Sequence, residues 1–373
     1  MAREPTSWSG RPGDIGLCAT GAFNGLAFDS HQTWAFWHAE AVGVTESPFR
    51  CANGTRATMV SARTLSPKLH GADRLAALID GALGQLRPAL GMLGPGARGA
   101  MWLGLPERYE GRAAPEHAAE LRRLERQAAA WCDEHAGGAK VTLVPRGHAS
   151  CALALVEACT ELAAGRLEAA IVGGADTYHA PEVVEELLAQ ERLFDGKNVD
   201  SFIPGEGAAF LLLAGSRVAR RAGLPMLASV DAAATGREPG AMFAEAPCTG
   251  AGLALAMRTA ALRLPASGRR LTWLLGDLTN ETYRATELQL ALPRAVAPGG
   301  LDSGGREYQP IAAEEVAMDF LPLRFGDLGA ATLPTGAVVA SQAFVRGATA
   351  ATSCLLVASS VGPDRGAALV SPS

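Results

Sequence analysis

The chain has 373 residues, 48% of them hydrophobic and 19% charged, with a net charge of −5. That is a globular composition with material for a large core, and it excludes a disordered or low-complexity chain. No stripe of positive charge marks a nucleic-acid partner, and no apolar run reaches the about 18 residues of a membrane span.

Seven Cys (18, 51, 132, 151, 159, 248 and 354) are scattered, odd in number and without a C-x-x-C pair. A zinc site or disulfide framework is not expected, and a reduced cytoplasmic setting fits. The N-terminus, Met1-Ala-Arg-Glu-Pro-Thr-Ser-Trp8, lacks the apolar core of a signal peptide. Only three cations are Lys (Lys68, Lys140 and Lys197), an Arg bias that reads as base composition.

In chain order, residues 1–12 read as a loose polar lead-in. Asp14–Gly21 predicts a buried strand. Trp34–Val42 predicts a helix whose Trp34, Phe36 and Trp37 serve core or interface packing. His31 and His38, with no third ligand nearby, read as ordinary histidines. Leu75, Leu78, Ile79, Ala82 and Leu86 form a helical stripe over 73–87. Ala100–Leu105 is a strand. Residues 115–135 form an amphipathic helix stopped by Gly137-Gly138.

Lys140–Val144 is the next strand. A tight corner, Pro145-Arg-Gly-His148-Ala-Ser-Cys151, follows. A buried helix of small residues runs from Ala152 to Gly165, and Ile171–Asp176 is a strand. This corner puts His148 at a helix N-terminus, where unpaired N–H groups and partial positive charge collect. A helix over 181–191 leads to the turn Asp200-Ser-Phe-Ile-Pro-Gly-Glu-Gly207 and a strand ending near Ala214. Gly205 and Gly207 read as turn glycines with unusual backbone angles, and Glu206 as an interior pairing residue.

The order of elements then starts again. Leu227–Val230 is a strand, Gly252–Leu262 a helix, Leu271–Gly276 a strand and Glu281–Leu290 a helix. A Pro/Gly loop spans 293–306, a helix covers Val338–Val345, and strands close the chain at 353–358 and 367–370. Alternating strands and helices predict an α/β layered fold.

The stretch from Lys140 to Gly173-Gly-Ala-Asp176, together with Phe202-Ile-Pro-Gly-Glu-Gly-Ala-Ala209 at family-like spacing, resembles the β-ketoacyl synthase branch of the thiolase fold. The resemblance is strong over 140–214 and rests on element order elsewhere. It implies two similar βαβαβαββ halves, residues 1–222 and 223–373, stacked as α-β-α-β-α layers. It also implies a Cys nucleophile at the corner and two His from the second half. Counting back from Gly173-Gly174 puts His148 at the nucleophile position. No His lies beyond residue 179. Asp277 and Glu281 stand where the first His loop is expected, and Asp327 where a Gly-His-Leu-Gly motif is. Val361-Gly-Pro-Asp-Arg-Gly366 replaces the glycine-rich loop that shares an oxyanion hole.

A carboxylate acceptor where enolate charge develops opposes decarboxylative condensation. The candidate site residues are therefore His148, Asp277, Asp327, Cys151 and Glu281. His148 is either an acid/base group or a retained corner residue. Cys151 is either a displaced nucleophile or packing. The two Asp are either His partners or helix N-caps. Three functions follow as expectations. One is a non-condensing subunit binding an acyl thioester or acyl carrier protein. Another is a thioester hydrolase or acyltransferase with a rebuilt His–Asp site. The third is an adaptor like the thiolase-like proteins that accompany bacterial secretion-system effectors. The resemblance implies a homodimer, or a heterodimer with a ketosynthase, through the strand Lys140–Val144. No phosphate loop, metal cluster or nicotinamide fingerprint appears, so no tightly bound cofactor is expected.

Overall fold

A computed structural model describes residues 6–51, 53–94, 96–109, 115–262, 264, 270–296 and 316–373. Its strands are β1 (Ser7–Ser9), β2 (Ile15–Asn24), β3 (Thr45–Arg50), β4 (Arg56–Met59), β5 (Gly99–Leu105), β6 (Lys140–Pro145), β7 (Ala169–Thr177), β8 (Glu206–Gly215), β9 (Ala228–Arg237), β10 (Trp273–Gly276), β11 (Ala317–Phe320), β12 (Cys354–Ser359) and β13 (Asp364–Ser371). The helices are α1 (Ser30–His38), α2 (Gly71–Leu83), α3 (Arg87–Leu93), α4 (Pro115–His135), α5 (Ser150–Ala163), α6 (Pro181–Ala189), α7 (Ser216–Ala222), α8 (Ala251–Ala261), α9 (Thr282–Val296), α10 (Pro322–Phe325) and α11 (Thr332–Val345).

Two five-stranded runs share one topology. The first has the order β6-β5-β7-β8-β2 and the second β11-β10-β12-β13-β9. In each, the first three strands are parallel and the last two run antiparallel to their neighbours. A short antiparallel contact, Gly16 with Ser229 and Leu17 with Ala228, joins β2 to β9.

Helices α5 and α11 lie between the two runs and touch strands of both. Their side chains, with Leu155, Leu211, Val230, Leu333, Val338 and Leu356, make one core cluster. A helix apolar all round must be covered on all sides, which explains their small-residue composition. Helices α2 and α4 cover the outer face of the first run, and α8 and α9 that of the second. The result is the expected α-β-α-β-α layering.

Several local expectations need correction. The lead-in is not wholly loose, because β1 pairs antiparallel with β9, Trp8 opposite Ala233. The hairpin β3–β4 was not foreseen, since Pro48 and charged positions hide its alternation. Helix α11 begins well before Val338. Pro334 sits in its first turn, where a missing N–H leaves no intrahelical bond unmade. Helix α9 continues through Pro293 to Val296, so the expected loop does not begin at 293. Residues 297–306 lie outside the described residues. Among the described residues, no helix is long and apolar enough to cross a membrane.

Candidate functional site

The site lies where two similar corners meet, each a glycine of positive φ opening a three-residue 3-10 turn into a long buried helix. In the first, Gly147 (φ 56°) leads through His148 and Ala149 into α5. In the second, Gly329 (φ 50°) leads through Ala330 and Ala331 into α11. Only glycine adopts these angles without strain. Ser150 fixes the first corner: its hydroxyl accepts the Arg146 N–H at 3.1 Å and donates to the Val144 carbonyl at 2.8 Å.

His148 and Asp327 are brought together as proposed from the sequence. The His148 Nε2 lies 2.6 Å from Asp327 Oδ1, with both side chains buried. The same carboxylate oxygen accepts the Gly329 N–H at 2.9 Å, so the Asp is also held by its own corner. The Asp327 backbone is clamped to the Ile203–Gly205 segment by two hydrogen bonds. That contact corrects the reading of Gly205 and Gly207, since neither has positive φ. A Cβ at Gly205 would sit 2.2 Å from the Phe325 carbonyl oxygen, so closeness of approach is what requires glycine there. Glu206 does pair in the interior, with Arg74 Nε at 2.5 Å and with the Thr177 hydroxyl at 2.7 Å.

Asp277 and Glu281 reach the site only through a residue that sequence reasoning missed, Arg284. Its guanidinium donates to Asp277 Oδ2 at 2.9 Å, to Glu281 Oε2 at 3.3 Å and to the Ser359 carbonyl at 2.6 Å. It also lies 3.3 Å from His148 Nε2 and 3.8 Å from Asp327 Oδ2. Glu281 takes a second cation, Arg192, at 2.7 Å. Three carboxylates thus interleave with His148, Arg284 and Arg192, and buried charges require such pairing. Asp277 is not the N-cap of α9. It accepts the Ser359 N–H at 2.6 Å, whereas Asp200 accepts the Thr282 N–H. The only local sign of Arg284 is its spacing of three from Glu281 on one helix face.

Opposing influences act on the imidazole. Burial alone would lower its pKa; the charge of Asp327 and the hydrogen bond to it, helped by Asp277 and opposed by Arg284, move it above the ordinary value. Burial would raise the Asp327 carboxyl, but His148 and Arg284 hold it well below the usual carboxylate range. A contact of 2.6 Å requires the Nε2 proton to lie toward Asp327, so Nε2 has no lone pair to offer Arg284. The second ring nitrogen, Nδ1, has no hydrogen-bond partner among the described residues.

His148 lines a cleft of about 330 Å³, with Glu107, Arg108, Asp176, Tyr178, Arg192, Phe243, Val361 and Gly362 among its walls. Asp176, from the Gly-Gly-Ala-Asp segment, was not foreseen as a site residue. Burial raises its pKa to about 6, against the pull of Arg108 (3.8 Å) and of the Ala330 N–H. Cys151 is elsewhere. It is fully buried in the central core cluster, and burial pushes its thiol pKa up, so it presents no thiolate to the cleft. Among the described residues, one trio could offer metal-ligand atoms, Glu238, Cys248 and Glu287, within 4.8 Å of one another. Glu238 there accepts the Thr249 and Gly252 N–H groups, and Glu287 pairs with Arg365.

A family model, the N-terminal domain of β-ketoacyl synthases, matches residues 138–219. No curated protein sequence is similar enough to match. Solved structures do match. The oxazolomycin ketosynthase domain of Streptomyces albus JA3453 is 16% identical over 96% of this chain and 74% of its own, with a TM-score of 0.72. The ishigamide ketosynthase/chain length factor is 13% identical over 96% and 99%, with a TM-score of 0.74. A type II polyketide synthase acyl-carrier protein in complex with its ketosynthase bound to the hexaketide is 12% identical over 97% and 100%, with a TM-score of 0.78. With its repeated five-strand topology, its two facing corners and these structural matches, the chain has the thiolase fold of the ketosynthases, and its residues 138–219 are similar to the N-terminal domain of β-ketoacyl synthases.

Proposed function

We propose that this protein is a ketosynthase-like subunit that does not carry out decarboxylative condensation and instead serves as an acyl-binding or partner subunit. The observation that carries this reading is the state of the nucleophile position. His148 is buried there, bonded to Asp327 at 2.6 Å and flanked by Arg284. Its Nε2 is committed to the Asp327 carboxylate, whose charge moves the imidazole pKa above its ordinary value, so this nitrogen is not free to attack a thioester. Among the described residues no thiol lines the cleft to replace it.

Strand β6 supports pairing with a second subunit. It is bonded to β5 on one side only, and Val141–Pro145 are half-buried where an edge strand would meet water. An unpaired apolar edge favours a partner strand. The partner is a second copy or a ketosynthase, and an acyl carrier protein or acyl thioester is the ligand. The test is purification alone and with a ketosynthase and an acyl-loaded carrier protein. A stable complex with no condensation product from the protein alone is expected; product from the protein alone would overturn the reading.

A second reading, a thioester hydrolase or acyltransferase, is favoured by one observation. His148 and Asp327 form a His–carboxylate pair, and His148 lines an open cleft. His148→Ala decides it. Abolished thioester turnover supports acid/base chemistry, and unchanged turnover removes it.

A further inference from the structure

Two backbone N–H groups in the cleft wall, those of Val361 and Gly362, converge on one carboxylate. Glu107, two residues beyond β5, accepts Val361 N–H at its Oε2 and Gly362 N–H at its Oε1, each at 2.9 Å. One oxygen per amide is the geometry by which a backbone pair recognises a carboxylate. The fit is tight. A Cβ at Gly362 would lie 2.6 Å from Glu107 Oε1, and one at Gly147 would lie 2.8 Å from Glu107 Cγ.

The amide pair does not depend on Glu107 for its placement. Arg365, fully buried, donates to the carbonyls of Ser360 (3.0 Å), Gly362 (2.6 Å) and Asp364 (2.9 Å). Its own Nε is fixed on Glu287 at 2.6 Å. The loop is therefore held from behind while its donors face forward. Glu107 sits on a short 3-10 turn and is only half-buried, so it is the movable member of the contact.

We propose that the Val361–Gly362 amide pair is a preformed receptor for an acyl carbonyl or carboxylate, and that Glu107 is the chain's own ligand for it. Glu107 is then a specificity-determining plug that denies the carbonyl of an incoming thioester these donors beside His148. This rests on the acyl-binding reading of the cleft, and the experiment separates the two.

Glu107→Ala and wild type are compared with two probes, sodium formate against an equal concentration of sodium chloride, and hexanoyl-N-acetylcysteamine. Formate is expected to raise the thermal midpoint of Glu107→Ala and leave wild type unmoved. The thioester is expected to bind Glu107→Ala about tenfold tighter than wild type, the scale of one hydrogen bond made to an otherwise unsatisfied donor. No formate effect on Glu107→Ala overturns the receptor, as does thioester binding by both proteins with equal affinity. If formate stabilises Glu107→Ala while neither protein binds the thioester, the receptor stands and the acyl-binding reading falls. Glu107→Gln keeps the side-chain volume and covers a folding failure of the alanine variant. It offers one acceptor oxygen where the carboxylate offers one to each amide, and its NH2 group cannot replace the second, so the Val361 or Gly362 amide should exchange about tenfold faster with solvent. Wild-type protection of both amides in Glu107→Gln overturns the proposal.

Discussion

The two corners of this protein use one backbone solution for different chemistry. Gly147-His-Ala and Gly329-Ala-Ala are both 3-10 turns opened by a glycine of positive φ, and both feed a helix buried between the sheets. The first places an imidazole at its second position. The second places a methyl group there and uses the backbone N–H of that residue, Ala330, to hold Asp176. The carboxylate of the second corner comes from Asp327, just ahead of its glycine, and it crosses to the imidazole of the first. The difference teaches that the site is divided between the halves. One corner supplies a side chain that titrates, and the other supplies the charge that sets its titration.

The comparison can be broken most severely at Arg284, the cation between the corners. Arg284→Met would leave Asp277, Glu281 and Asp327 with reduced compensation in a buried setting. A loss of about 3–5 kcal/mol is expected, the range for removing one partner of a buried ion pair. Urea unfolding checks it, and a loss below 1 kcal/mol would mean that the two corners are not electrostatically coupled through this residue.

A smaller effect separates the corners sterically. Both glycines have positive φ, so alanine strains each by about 1 kcal/mol or more. At Gly329 the new Cβ would also lie 2.0 Å from Asp176 Oδ2, a buried and bonded atom. At Gly147 it meets the Glu107 side chain, which can shift. Gly329→Ala should therefore cost about 3 kcal/mol and Gly147→Ala about 1–2 kcal/mol. Equal losses by thermal unfolding would refute this asymmetry.

The smallest effect is a gain. Asp176 has a folded pKa of about 6, above the about 3.9 of an unfolded Asp. A raised carboxyl favours the folded state below the unfolded value, and that contribution is lost as pH rises through 6. Asp176→Asn removes the ionisation. It should stabilise the protein by about 1–2 kcal/mol at pH 8 and by almost nothing at pH 4. A gain independent of pH would show that the carboxyl is not the cause.

Much of the fold was legible because strands buried on both faces and helices buried all round announce themselves in composition. Ile171–Asp176 and the run ending near Ala214 read as strands, observed as β7 and β8, and α5 read as a small-residue helix. What was hidden follows from the same logic. The hairpin β3–β4 lies outside the central layers, and Pro48 and charged residues break its pattern. The long first turn of α11 was concealed by Pro334 and Gly336, which pass for breakers until the neighbouring strand shows why they fit.

The site was legible in part. Asp277, Glu281 and Asp327 were placed near His148 by the resemblance to the ketosynthases, and the Asp327 contact formed. Arg284 carried only a weak local mark, its spacing of three from Glu281, because an Arg near a helix start is usually solvated. Glu107 carried none: its partners, Val361 and Gly362, lie about 250 residues away and act through backbone N–H groups that every residue but proline possesses. By itself the sequence determined the layered fold, the corner and the identity of the residue on it, since periodicity, glycine placement and spacing are local properties. Only the tertiary structure decided that His148 is hydrogen-bonded to a buried carboxylate at the wall of a cleft and that Glu107 fills the amides beside it. Charge state and hydrogen-bond occupancy depend on which groups distant in the chain are brought within about 3 Å of each other in a space that water does not screen.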